Sequence, residues 1–136
     1  MVTTMQRAPM TEHGTTSSLI ASDRVEGNAV YDAHGKRIGK VERLMIDKLT
    51  GRIAYAILSF GGFLGIGKDH YPIPWSMLTY NEKPDGFQVD ITEDELKNAP
   101  KLEQGESWEQ TTRPRNQEVY DYWEVRYYWI VGSDIP

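Results

Sequence analysis

Two glycine-closed turns, joined by strands that are apolar on both faces, occupy residues 32–60 and restrict the possible folds more than any other feature. Asp32-Ala33-His34-Gly35 and Asp47-Lys48-Leu49-Thr50-Gly51 each enter on Asp and leave on Gly. Asp accepts hydrogen bonds from the backbone just ahead of it, and Gly takes the positive φ that closes a type I turn with a bulge. Successive hairpins of this kind predict a small curled sheet. Across residues 52–60, Ile53, Tyr55 and Ile57 share one side, and Ala54, Ala56, Leu58 and Phe60 share the other. Neither side is polar, so both must be covered. One side fills the interior of a small barrel. The other needs a helix, a tail or another subunit.

The flanking segments extend the pattern. Residues 28–31 are a short strand, and residues 36–47 a longer one with a break in phase. Ile38, Leu44 and Ile46 have one parity, and Val41 the other. A bulge near Glu42-Arg43 brings Val41 and Leu44 to one face and bends the strand. Tyr71-Pro72-Ile73-Pro74-Trp75 is extended, with prolines at alternate positions whose missing N–H groups face one edge. Such a strand is fully laddered on one side only. Pro84-Asp85-Gly86 makes another turn, and residues 87–91 alternate as a last strand. Thr92 then caps a short helix, with Glu95 completing a capping box and Ile91 stapled on Leu96. Glu93 and Asp94 suit the positive end of that helix, and Pro100 stops it.

Composition narrows the setting. Residues 1–17 are small and polar and predict a disordered leader without the apolar core of a signal peptide. Residues 18–102 form the expected domain, and residues 103–136 a linker and an aromatic tail. A domain of that size buries only about 60–65% of its chain surface, so its core gains from an appended segment or a partner. The net charge of −5, from 15 basic and 20 acidic residues, offers no attraction to phosphate backbones. With no cysteine the chain has no disulfide, thiol nucleophile or thiolate ligand, and the cytoplasm is the expected compartment.

Leu19-Ile20-Ala21-Ser22-Asp23, Val30-Tyr31-Asp32, Gly35, Ile38-Gly39-Lys40-Val41, Ile46-Asp47, Thr50-Gly51 and Pro74-Trp75, in that order, resemble the PRC-barrel family. The family takes its name from the cytoplasmic domain of the photosynthetic reaction centre H subunit. It also supplies the C-terminal domain of the RimM-type ribosome maturation factor. The resemblance runs over residues 18–99 and implies a mainly β fold: a small PRC-type barrel with a short capped helix. It is similar to the stand-alone bacterial form, here carrying its own aromatic C-terminal extension. The scaffold serves several roles, so it implies a fold more than an activity.

Motifs for chemistry are sparse. Gly62-Phe63-Leu64-Gly65-Ile66-Gly67-Lys68 matches the first seven positions of a phosphate-binding loop, but Asp69 stands where a hydroxyl should hold magnesium. Pro72 and Pro74 forbid the helix that should follow. His13, His34 and His70 are scattered, and Asp69 and His70 point to opposite faces of a strand. Ser76 lacks the glycines of a nucleophile elbow. No nucleophile, base and stabiliser assemble, so we expect no enzyme, cofactor or metal site.

Interaction is the remaining expectation. Seven of the fifteen aromatic residues lie between Trp108 and Trp129, with Val119, Tyr122, Trp123 and Tyr127 at helical spacing. Arg113, Arg115 and Arg126 are balanced by Glu118, Asp121 and Glu124, which argues against a nucleic-acid groove. The tail is expected to pack on the outer sheet, in its own chain or across a dimer. The loop holding Phe63, Leu64 and Ile66 either folds over the barrel or presents an apolar patch. We therefore expect a non-catalytic module that forms a homodimer and docks a protein partner. The expected contacts are Phe60, Phe63, Leu64, Ile66, Trp75, Tyr122 and Trp123. The alternatives, an RNA- or ribosome-associated factor and an accessory subunit of a membrane electron-transfer complex, follow from the family resemblance alone.

Overall fold

Every turn anticipated at residues 32–35 and 47–51 is present in the computed structural model, which describes residues 18–60, 69–83, 85–101, 107, 109 and 113–129. Gly35 and Gly51 have φ of +84° and +77°. Asp32 Oδ1 accepts from the backbone N–H groups of His34 and Lys36 at 2.9 Å, and Asp47 Oδ1 accepts from Leu49 at 2.8 Å and Thr50 at 3.2 Å. Each turn is thus held by its entry carboxylate and released by its exit glycine.

The bond from the Lys36 N–H, with that from His34, holds the Asp32 carboxyl below the usual carboxylate range. A lowered folded-state value stabilises the fold above the unfolded value and is lost as pH falls through the folded one. Asp32→Asn is therefore expected to flatten the acid limb of the unfolding profile, measured by urea titration at a series of pH values. A parallel acid limb in parent and variant would show that this turn contributes nothing to it.

Among the described residues six strands make one mixed sheet. They are β1 (Ala29–Tyr31), β2 (Arg37–Ile46), β3 (Ile53–Ser59), β4 (His70–Pro74), β5 (Thr79–Asn81) and β6 (Gly86–Gln88), in the order β4-β3-β2-β1-β6-β5. All pairings are antiparallel except β1 with β6. Three short helices accompany them: α1 (Ser22–Val25), α2 (Glu93–Lys97) and α3 (Arg113–Trp123).

The sheet is open between β4 and β5, but it must curl. Six strands spaced about 4.8 Å apart would separate the outer two by roughly 24 Å if flat. The link from Pro74 to Thr79 is five Cα steps, at most about 18 Å when extended. Its 3-10 turn, Trp75–Met77, shortens it further. The edges are therefore drawn together at one corner, where Trp75 and Tyr80 both pack on Phe87 at ring separations of 5.6 and 5.4 Å. This is the small-barrel form the strand phases require.

The bulge lies where the phase break placed it. Val41 pairs with Leu58 and Arg43 with Ile57, leaving Glu42 as the extra residue. Val41 is fully buried and Leu44 packs against the core, as expected of residues brought to one face. Ile46 departs from expectation. A second irregularity between Met45 and Ile46 turns the strand end outward, and Ile46 is 57% exposed.

β3 is buried from Ala54 to Ser59, so both of its faces are covered. β4 is an edge strand, with Pro72 and Pro74 set opposite Ile57 and Tyr55, in keeping with its one-sided ladder. The last strand ends at Gln88 instead of continuing to residue 91, although Val89 and Ile91 remain buried. β5 was not anticipated: its three residues carry too little pattern to register. The capping box of α2 is complete, with Glu95 N–H donating to Thr92 Oγ1 and Thr92 N–H to Glu95 Oε1.

α3 ends in a Schellman motif. The Val125 N–H reaches the Tyr120 carbonyl and the Glu124 N–H the Asp121 carbonyl, with Glu124 at φ +58°. Tyr127 therefore lies beyond the helix to which its spacing assigned it. Among the described residues no helix is long and apolar enough to cross a membrane.

Candidate interaction surface

The chain's own tail packs on the β3–β4 side of the sheet, with α3 against β4 and Tyr120 reaching β3. Val119, Tyr120 and Trp123 of α3 are all buried, and the Tyr120 hydroxyl donates to the Ala54 carbonyl. Ala54 has no partner residue in the ladder to β2 or in that to β4, so its carbonyl is free to receive this bond. Behind the helix, Tyr127, Tyr128 and Trp129 pack around the Tyr120 ring at 6.2, 5.9 and 5.6 Å. The segment is tied to the β2–β3 turn as well. Arg52 Nη1 donates to the Tyr128 carbonyl at 2.7 Å, and the Tyr128 hydroxyl donates to Asp47 Oδ2. Asp47 thus fixes its own turn with one oxygen and the tail with the other.

This packing changes the standing of the residues expected to meet a partner. Phe60 is fully buried, edge-on to Tyr71 at 5.7 Å. Trp123 is 9% exposed, and Tyr122 is half-buried with its hydroxyl donating to the Glu95 carbonyl. Trp75 is half-buried against Phe87. Tyr122 and Trp123 do come together, rings at 4.9 Å, but Phe60 and Trp75 lie toward opposite ends of the β3–β4 pair. While the fold is intact, Phe60 and Trp123 have almost no surface to offer, because the tail and sheet already use it. Phe63, Leu64 and Ile66 lie outside the described residues, as does most of the glycine-rich loop.

Among the described residues the large apolar side chains most exposed to water are Leu19, near the start of the folded region, and two on the β2–β3 hairpin. Leu49, at the tip of the β2–β3 turn, is 96% exposed, and Ile46 stands at its base. Beside them runs a groove of about 880 Å3 bounded by Leu44, Met45, Ala54 and Tyr55 from the hairpin, with Asn116 and Tyr128 from the tail. Asn116 Oδ1 is buried there with no hydrogen-bond donor among the described residues. Leu49 carried a readable signal: an apolar residue at a turn position that polar residues usually occupy. Ile46 carried none, since its parity assigned it to the core and only the second strand irregularity exposes it.

Among the described residues, the titratable groups that the sequence singled out do not converge on one centre. Asp69 is paired with Lys101 at 2.8 Å, and strand β4 begins at His70 where a phosphate loop would need a helix. The buried Ser59 hydroxyl donates to Glu42 Oε2 at 2.6 Å, a cross-strand tie that its sequence context did not reveal. Among the described residues no group of three or more His, Asp or Glu side chains could hold a metal ion.

Comparison with curated proteins gave no match. Residues 18–96 match the model of the PRC-barrel domain, a family whose members serve in general as non-catalytic interaction modules. The matched span runs from α1 through most of α2 and leaves α3 and the aromatic segment outside it. A match over more than half the chain, on a curled sheet with these turns, makes this protein a member of the PRC-barrel domain family.

Proposed function

We propose that this protein is a non-catalytic interaction module of the cytoplasm that docks a protein partner, itself included, by burying apolar surface. The observation that carries this reading is the uneven distribution of that surface. Core, sheet and tail cover one another, yet Leu49 and Ile46 stand in water beside a groove. Exposed apolar residues rimming a concavity are a usual mark of an interaction site. The general role of PRC-barrel domains supports the same conclusion.

The test is affinity capture with the tagged full-length chain at low and high salt, with and without nuclease. Apolar docking predicts a stoichiometric protein in the eluate that survives high salt, because screening acts on charges and leaves apolar burial intact. Material that disappears with nuclease or salt, or that tracks with ribosomal particles or membranes, would overturn the reading.

A further inference from the structure

The exposed turn and the groove belong to one patch, which is what pairing with an identical molecule requires. A two-fold interface uses the same surface twice, so that surface must fit itself, as one with both a projection and a hollow does. The projection is the β2–β3 turn, with Leu49 at its tip and Ile46 at its base. The hollow is the adjoining groove of about 880 Å3, with Leu44, Met45, Ala54 and Tyr55 in its lining. Among the described residues nothing covers Leu49, and Ile46 is only partly covered.

The charges distinguish a second copy from other occupants. Arg43 and Lys48 border the groove with no ion-pair or hydrogen-bond partner for their side chains among the described residues. The carboxylates of Glu26 and Glu109 border it and are likewise unpaired. The other two acids are already engaged, Glu42 by Ser59 and Asp47 by Tyr128. Among the described residues two free cations and two free anions therefore share the rim. A partner segment of one charge sign would be repelled by half of them, whereas a two-fold operation lets the cations of each copy face the anions of the other.

We infer that the β2–β3 hairpin end is a self-association surface, in which the turn of each copy seats Leu49 and Ile46 in the groove of the other. This rests on the interaction-module reading and names its partner as a second copy of the chain.

Light scattering of the full-length protein over a concentration series, with Leu49→Lys, Ile46→Lys, and the double variant Arg43→Glu with Lys48→Glu, tests it. Leu19→Lys, at a residue 85% exposed outside the groove lining, is the control. The parent and the control are expected at twice the chain mass. The hairpin variants should appear at the single-chain mass with unchanged circular dichroism, since their side chains are largely exposed. The charge variant should dissociate about tenfold more readily, and more so at low salt, because only anions then line the rim. A parent dimer indifferent to both hairpin substitutions would overturn this surface and leave the module reading standing. A parent at single-chain mass throughout would overturn the second copy as occupant, while capture would judge the module reading separately.

Discussion

Tyr120→Ala is expected to remove about 3–5 kcal/mol of stability, the range for deleting a large aromatic side chain from a core. The ring is 1% exposed and contacts three further aromatic residues, so little of the resulting space can refill. Tyr120→Phe separates the hydroxyl from the ring. It leaves the buried Ala54 carbonyl without its donor, which costs about 1–3 kcal/mol. Urea or guanidinium unfolding measures both. A Tyr120→Ala midpoint equal to the parent's would mean that the tail does not pack on the sheet in solution.

The same residue predicts alkaline sensitivity. Burial pushes the Tyr120 phenol far above its ordinary value, and it raises the Tyr71 phenol too. A group whose folded-state value is raised contributes stability that is full below its unfolded value and is lost as pH rises toward the folded one. Stability should therefore decline above about pH 10, the ordinary phenol value. Tyr120→Phe should decline less steeply over that range. Superimposable alkaline slopes for parent and variant would contradict the buried phenol.

Gly39→Ala should cost about 3 kcal/mol or more, at the upper end of overpacking effects. A methyl group there would overlap the Ser59 carbonyl oxygen and meet Phe60 Cα at 3.1 Å. Both obstacles are backbone, and Phe60 is itself fully buried, so neither yields by a rotamer change. Gly39 lies within β2, opposite Val30 of β1, and its missing side chain is what lets the end of β3 pass this closely. Unfolding midpoints decide the matter, and a variant as stable as the parent would exclude the close approach.

Legibility of the fold followed the range of the forces involved. The turns at Asp32 and Asp47, the bulge at Glu42 and the capping box of Thr92 and Glu95 are set by groups a few residues apart, and each was readable from its own segment. The doubly apolar β3 told as clearly that something covers its outer face. Which element covers it was not readable, because a helical aromatic tail satisfies the same demand from its own chain or from a neighbour.

The expected contact residues show a related ambiguity. Large aromatic residues such as Phe60 and Trp123 are strong candidates for contacts, but equally strong ones for burial, and here burial claims them. Ile46 moves the other way, turned into water by a strand irregularity that period-two alternation cannot report.

Sequence by itself determined the hairpins, the bend, the capped helix and the family, since short-range hydrogen bonds and alternation write these into consecutive residues. Only the tertiary structure decided that α3 packs against β4 with Tyr120 reaching β3, and that Leu49 and Ile46 remain outside. Those outcomes depend on which distant surfaces exclude water from one another, a competition settled across separations such as the one between Ala54 and Tyr120.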